Sequence, residues 1–458
     1  MPAIASTISA RPAQSLGEHI SRTLKLAVPV MLARIGVVVM VTVAQAMTGH
    51  AGADEQAYFS IAFSPQMMMV VIGIGLMAGI TVVSAQADGA GRSTECGRIW
   101  RLGLVAALIL GVIYAVALIW GTELLRLTGQ EPDVAIGGGR VLLMFAPGMP
   151  AVLMFVGTSA FLESIGKTRP GLVVSLSSNL VNLLLCWLLI FGHWGLPAMG
   201  AAGAALAISI TRWVMLIAIV GYALAMRDHT RYGVHAPLAG HYHRIKTLLR
   251  VGAPLALATG LESSAFTTAT IFAGWLGKAP LAAFQSILNL TAVVFMLAIG
   301  VSTATSVRVA NAVGRQDQQG IGRAGWVGAG LIMLTTLAIG AAIWLAREAI
   351  AAFYSDDAEV QALIIGTLAL ATWWFVVFDG LQAVLVGATR GVADVIVPTL
   401  TQGLAFWGVA IPLAFHLGLK SGAGVDGLFI GLGASLVAAS LFLGLRFRVL
   451  SRRAIRPV

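Results

Sequence analysis

Twelve stretches of the chain are apolar almost without interruption: about 26–48, 57–82, 101–121, 140–162, 171–192, 199–226, 249–275, 281–306, 325–346, 361–387, 395–417 and 425–446. Each reaches the roughly 20 residues a helix needs to cross a bilayer. Each is predicted to be helical, because lipid offers the backbone no hydrogen-bond partners. Pro29, Pro65, Pro147, Pro150, Pro254 and Pro398 fall in or near these spans and are expected to kink them. The spans fall into two sets of six, 26–226 and 249–446. A polar linker, 227–248, joins them, and 1–25 and 447–458 are tails. The expected fold is an all-α membrane protein of twelve transmembrane helices in two pseudo-symmetric six-helix bundles.

Composition excludes a water-soluble alternative. Of 458 residues, 58% are apolar and 10% charged, against about 25% charged in soluble domains. One soluble core cannot absorb so much apolar sequence, since such cores stop growing near 250–300 residues. The net charge of +10 would suggest nucleic acid in a soluble protein, but the placement of the charges points elsewhere. The tails, the linker and every second loop, with the adjoining helix ends, hold 22 of the 29 Lys and Arg residues; the opposite loops hold five, and Arg34 and Arg212 lie within spans. By the positive-inside rule both termini are cytoplasmic, and the chain is expected in a cytoplasmic (inner) membrane. No single basic face remains for nucleic acid. Cys96 and Cys186 make neither a disulfide framework nor a metal-ligand spacing. No apolar run precedes Leu26, so the first span reads as a retained helix and not a signal peptide.

The halves also repeat. A shift of 225 residues superposes Pro29 on Pro254, Gly49 on Gly274, Gly52 on Gly277, Phe59 on Phe284, Gly75 on Gly300 and Gly89 on Gly314. An even number of spans separates the copies, so they share one orientation. That predicts a pseudo-two-fold axis along the membrane normal, as in transporters built from parallel repeats.

Soluble-enzyme motifs are missing. Gly166-Lys167-Thr168 resembles the end of a phosphate-binding loop, but Phe161 stands where that loop needs a glycine. His235, His241 and His243 lie in the linker and read as solvated or headgroup-facing side chains. Gly137-Gly138-Gly139 reads as close helix packing. No metal site, cofactor or enzymatic activity is expected.

The chemistry is expected from ionisable groups inside spans, which cost roughly 2.5–3.5 kcal/mol to insert and usually face the bundle interior or a water-filled cavity. Glu262 follows Pro254 by eight residues, about 12 Å along a helix, with Thr259 nearly one turn earlier. Asp379 has Gln382 nearly one turn later. Desolvation favours the neutral form of such a carboxyl, so it can take up and release a proton; two carboxylates with neighbouring oxygens can instead hold Na⁺. The competing reading pairs each acid permanently with Arg34 or Arg212, purely to hold helices together. Arg34 could neutralise an acid or contact substrate, whereas Arg212 is expected to be structural. Asn179 and Asn182 share a helix face, as do Gln285 and Asn289. Each pair either bonds neighbouring helices or lines a cavity.

On these residues the chain resembles the multidrug and toxic compound extrusion (MATE) family, most closely its NorM-like branch. The carrying segments are LKLAVPV (24–30), MTGHAG (47–52), FLESIGKTRP (161–170), NLVNLLLCWLLIFG (179–192), GAAGAALAISITRW (200–213), LLRVGAPLALATGLE (248–262), SVRVANAVGR (306–315), and Asp379 to Arg390-Gly391. The resemblance implies that Glu262 and Asp379 are the cation-binding acids. Two acids of the family's first half are missing: Ala44 and Cys186 stand in their places, although Asn182 is retained. Coupling is therefore expected to rest on the second half. The resemblance further implies a V-shaped pair of bundles around a central cavity. It points to antiport of H⁺ or Na⁺ against small, often cationic, organic molecules, in a protein expected to be monomeric. A lipid-linked oligosaccharide flippase of the same superfamily is the alternative, and it would need a strongly basic cavity.

Overall fold

A computed structural model describes residues 16–238, 243–453 and 457. Residues 1–15 of the N-tail, 239–242 of the linker with His241, and 454–456 and 458 of the C-tail lie outside the described residues, as does the side chain of His243. The described chain is helical with no strand. The first half comprises α1 (Leu16–Ala51), α2 (Ala53–Gly89), α3 (Ser93–Ile119), α4 (Gly121–Leu127), α5 (Pro132–Phe145), α6 (Gly148–Ser164), α7 (Arg169–Phe191) and α8 (Gly200–Ala225). The second half comprises α9 (His243–Leu276), α10 (Lys278–Gly314), α11 (Gln318–Leu345), α12 (Arg347–Tyr354), α13 (Ala358–Gly391), α14 (Ile396–Lys420) and α15 (Gly424–Leu450).

Every one of the twelve predicted spans coincides with one of these helices or a bent pair. Among the described residues nine helices are individually long and apolar enough to cross a membrane. The fourth span is α5 plus α6, bent by 46° at Ala146-Pro147, where proline removes a backbone donor. The tenth is α13, bent by 60° between Leu370 and Trp373 without a proline. The seventh, α9, falls outside the apolar set. Glu262 and six Ser or Thr residues between 259 and 270 dilute it, as expected of a helix with one face away from lipid. The short helices α4 and α12 carry no signal in the apolar pattern; they stand one repeat apart, joining spans three to four and nine to ten.

The repeat reappears as geometry. A methyl group added to Gly89 would come within 2.2 Å of the Asn311 carbonyl oxygen, and one added to Gly314 within 2.2 Å of the Gln86 carbonyl oxygen. A methyl on Gly75 would meet Ala256 Cα at 2.7 Å, and one on Gly300 would meet Met31 Cβ at 2.9 Å. Each contact is the other displaced by 225 residues. So α2 against α9 and α10 against α1 are equivalent crossings about one pseudo-two-fold axis. The buried cluster around Trp100 in the first half also takes in Leu248, Val251, Leu255 and Val395 of the second. Arg244 pairs with Glu95 at 2.9 Å, and Gln86 Nε2 donates to the Gly391 carbonyl at 3.0 Å. All of these bonds between halves lie at the end that carries the termini. At the opposite end Trp120, Trp194 and Trp275 are largely exposed at helix ends, as in an interfacial aromatic belt.

Close crossing requires glycine here, since any Cβ at 75 meets backbone and not a movable side chain. Gly75→Val is expected to force α2 from α9 and to lower the thermal midpoint of the purified protein by several degrees. Gly221→Val, at a glycine with open space around it, is the matched control and should leave the midpoint unchanged.

Candidate functional site

The α2–α9 crossing leads to the site. Gly252 lies against Leu76, Ala256 against Gly75, and Gly260 beside Ile72. Glu262 is the next half-turn along α9, half-buried. It is held from α14: Gln402 Nε2 donates to Glu262 Oε2 at 3.4 Å, Trp407 Nε1 donates to the Leu261 carbonyl at 3.1 Å, and the Thr399 hydroxyl donates to the Pro254 carbonyl at 2.9 Å. Beyond Gly403 the α14 backbone widens into π-helical turns over Leu404–Ala410, a distortion that often accompanies functional sites.

Asp379 on α13 is buried, within electrostatic reach of Glu262. It looks into a small void lined by Thr291, Phe295 and Ala298 of α10 and Thr336 of α11. One helical turn from each acid, on the side away from the termini, Phe266 of α9 and Phe375 of α13 meet edge to face at 6.1 Å. Phe406 of α14 packs against Phe266 at 5.8 Å. The sequence thus brings two carboxyls together from separate helices beneath an aromatic layer. Among the described residues neither carboxyl is in a salt bridge. Permanent pairing with Arg34 or Arg212 is therefore not what the structure contains.

The other candidate residues divide. Thr259, half-buried, returns its hydroxyl to the Leu255 carbonyl at 2.8 Å. Gln382 is buried and its amide nitrogen has no hydrogen-bond partner. Gln285 and Asn289 are exposed, and Asn289 accepts from the Tyr354 hydroxyl of α12 at 3.0 Å. Asn179 donates to the Ser175 carbonyl at 2.8 Å and lies beside Gly36 of α1. Asn182 does not line a cavity. It is fully buried, donates to the Met40 carbonyl of α1 at 3.3 Å, and accepts from the Thr211 hydroxyl of α8 at 3.5 Å. Asn182→Ala is expected to cost about 1–2 kcal/mol of bundle stability, read as a lower thermal midpoint, with no change in the ion dependence of transport.

Arg212 is buried against Met149 Sδ at 3.8 Å and the Phe145 ring at 5.7 Å, an apolar setting that matches the structural reading. Arg34 faces a different carboxylate. Glu163, one residue past the predicted fourth span, is buried in the last turn of α6. The charges acting on it are Arg34 of α1 and Arg390 of α13. Arg390 Nε also donates to the Ser306 hydroxyl of α10 at 3.3 Å. Glu163 and Arg34, of one half, line one small void, and Arg390 belongs to the other half; among the described residues no salt bridge joins the three. Nearby, outside the spans, Lys167 donates to Asp228 at 2.7 Å and holds that carboxyl below its usual range.

Two equivalent helical bundles that touch at one end and carry acids without arginine partners inside their spans have the architecture of a membrane transporter. Comparison with known proteins gives the family. The MatE family model matches residues 29–188 and 254–416, two copies beginning 225 residues apart, and the chain belongs to that family. It is 32% identical over 452 residues to a probable multidrug resistance protein NorM of Bradyrhizobium diazoefficiens, covering 97% of this chain and 96% of the relative. It is 32% identical over 444 residues to a protein of the same description from Caulobacter vibrioides, covering 97% and 94%. Among solved structures, a eukaryotic MATE transporter superposes with a TM-score of 0.85 at 22% identity, covering 95% of this chain and 99% of that one. A multidrug resistance MATE family transporter in its outward-facing conformation superposes at 0.87 and 18% identity, covering 96% and 99%.

Proposed function

We propose that the protein is a multidrug exporter of the inner membrane, with both termini cytoplasmic, that exchanges H⁺ or Na⁺ for small organic cations by alternating access. The observation that carries this reading is the Glu262–Asp379 pair. The two carboxyls lie within electrostatic reach of one another, and among the described residues neither is in a salt bridge with an arginine. With the termini in the cytoplasm, the end where the halves touch is the inner one, and in this reading an outward-open state exposes the acids to the outside. An incoming cation lowers the negative charge of the site. A bound organic cation then loses its electrostatic partner and leaves outward. Exchange requires this negative coupling between the two ligands. One-for-one exchange of monovalent cations moves no net charge and is driven by the ion's concentration gradient alone; each further inward cation adds about 2.3 kcal/mol per 100 mV.

The test is efflux of a panel of organic cations from proteoliposomes, with pH and Na⁺ gradients imposed separately. One gradient is expected to drive efflux of at least one compound. Efflux indifferent to both gradients would overturn the reading.

A further inference from the structure

We infer that a second, anion-binding site lies at the closed end, between the halves, built to take a phosphate-bearing group. A cavity of about 1430 Å³ opens there, lined by His19, Arg22 and Lys25 of α1, Arg308 and Arg315 around the end of α10, and Arg323 of α11. Arg92, from the α2–α3 turn, completes the ring. Only two carboxylates line it, and both have other tasks. Asp317 caps α11 by accepting from Gly320 N at 2.8 Å, and Asp88 accepts from the Ser93 hydroxyl at 2.9 Å.

Basic residues on this face are expected from topology alone; what sets these apart is convergence. Arg22, Lys25, Arg308 and Arg323 come from three helices of both halves onto one cavity, and among the described residues none is in a salt bridge with a carboxylate. Arg308 is half-buried and held in place: it donates to the His19 carbonyl at 3.0 Å, to the Thr23 hydroxyl and to the His19 ring. Burial and the Arg308 guanidinium hold the His19 ring below its usual pKa. A small monoanion cannot satisfy guanidinium groups arriving from several directions. A phosphate or diphosphate, with several acceptor oxygens, can. The helix ends put the cavity at headgroup depth, so an acidic lipid headgroup and a soluble phosphate compound share this chemistry. An occupant would join α1 of one half to α10 and α11 of the other, and so favour the state closed at this end.

The test uses the full chain in nanodiscs. Inorganic pyrophosphate is titrated calorimetrically in zwitterionic lipid, and bound phosphatidylglycerol is counted by native mass spectrometry from mixed lipid. One of the two is expected to bind saturably and to weaken about tenfold or more in Arg22→Gln/Arg323→Gln, which removes two charge-assisted contacts. Arg227→Gln/Lys246→Gln, two basic residues on the same face outside the cavity, should bind as wild type. Saturable pyrophosphate binding assigns a soluble anion, and retained phosphatidylglycerol alone assigns a lipid headgroup. No saturable binding of either, or equal loss in both double variants, would overturn the inference.

Discussion

Glu262→Gln and Asp379→Asn, each made singly, are expected to abolish ion-driven efflux in proteoliposomes while leaving the protein folded and inserted. Both substitutions keep the shape of the side chain and remove its ability to change charge. In Glu262→Gln the new side-chain carbonyl would still meet the amide of Gln402, which now donates to Glu262 Oε2 at 3.4 Å, so packing of α9 on α14 should survive. What goes is the charge that cation and substrate compete for. Two carboxyls within reach of one another act as one titrating unit, so either change alone should remove coupled flux. Passive binding of uncharged dyes should be little altered. Thermal midpoints measured beside the flux separate loss of coupling from loss of fold.

The second large effect is expected at the closed end. Glu163→Gln removes a carboxyl that offsets the like charges of Arg34 and Arg390, which lie within electrostatic reach of it and of one another. Arg34 and Arg390 then repel one another with that negative charge gone. Arg390 belongs to the opposite half, so part of that repulsion is relieved when the halves separate. The variant should therefore shift the protein away from the state closed at the termini, read as weaker cross-linking between cysteines placed at Glu95 and Arg244, which meet across the halves. Arg34→Leu added to Glu163→Gln removes one of the stranded charges and should restore part of the cross-linking. Unchanged cross-linking in Glu163→Gln would show that the cluster does not help hold this end shut.

Apolar length and the 225-residue repeat are enough to place all twelve spans and to pair the halves. The glycines that match in sequence, Gly75 with Gly300 and Gly89 with Gly314, are the points where the halves touch. Glu262 and Asp379 stand out because an acid inside an apolar run is costly. That they lie within electrostatic reach of one another depends on how α9 and α13 are both set against α10, which no single span carries. Glu163 escapes for a related reason. A charge at the edge of an apolar window ends the window, so a buried acid in a last helical turn reads as a loop residue. Its burial depends on how α6 packs against α2, α3 and α8, which the local sequence does not carry. Asn182 is legible as polar within a span, but its choice between cavity and neighbouring helix is set by Met40 and Thr211. The helices α4 and α12, seven and eight residues long, are too short to leave a periodic signal.

Competition between cation and substrate for the charge of the Glu262–Asp379 pair is the step on which export depends. Its most direct measurement is equilibrium binding of a fluorescent organic cation to the purified protein in nanodiscs, titrated with protons and, separately, with Na⁺. One titration is expected to weaken binding to the wild type progressively, and the Glu262→Gln/Asp379→Asn variant is expected to bind weakly and without dependence on either ion. Wild-type affinity that ignores both titrations, or competition that persists in the double variant, would contradict it.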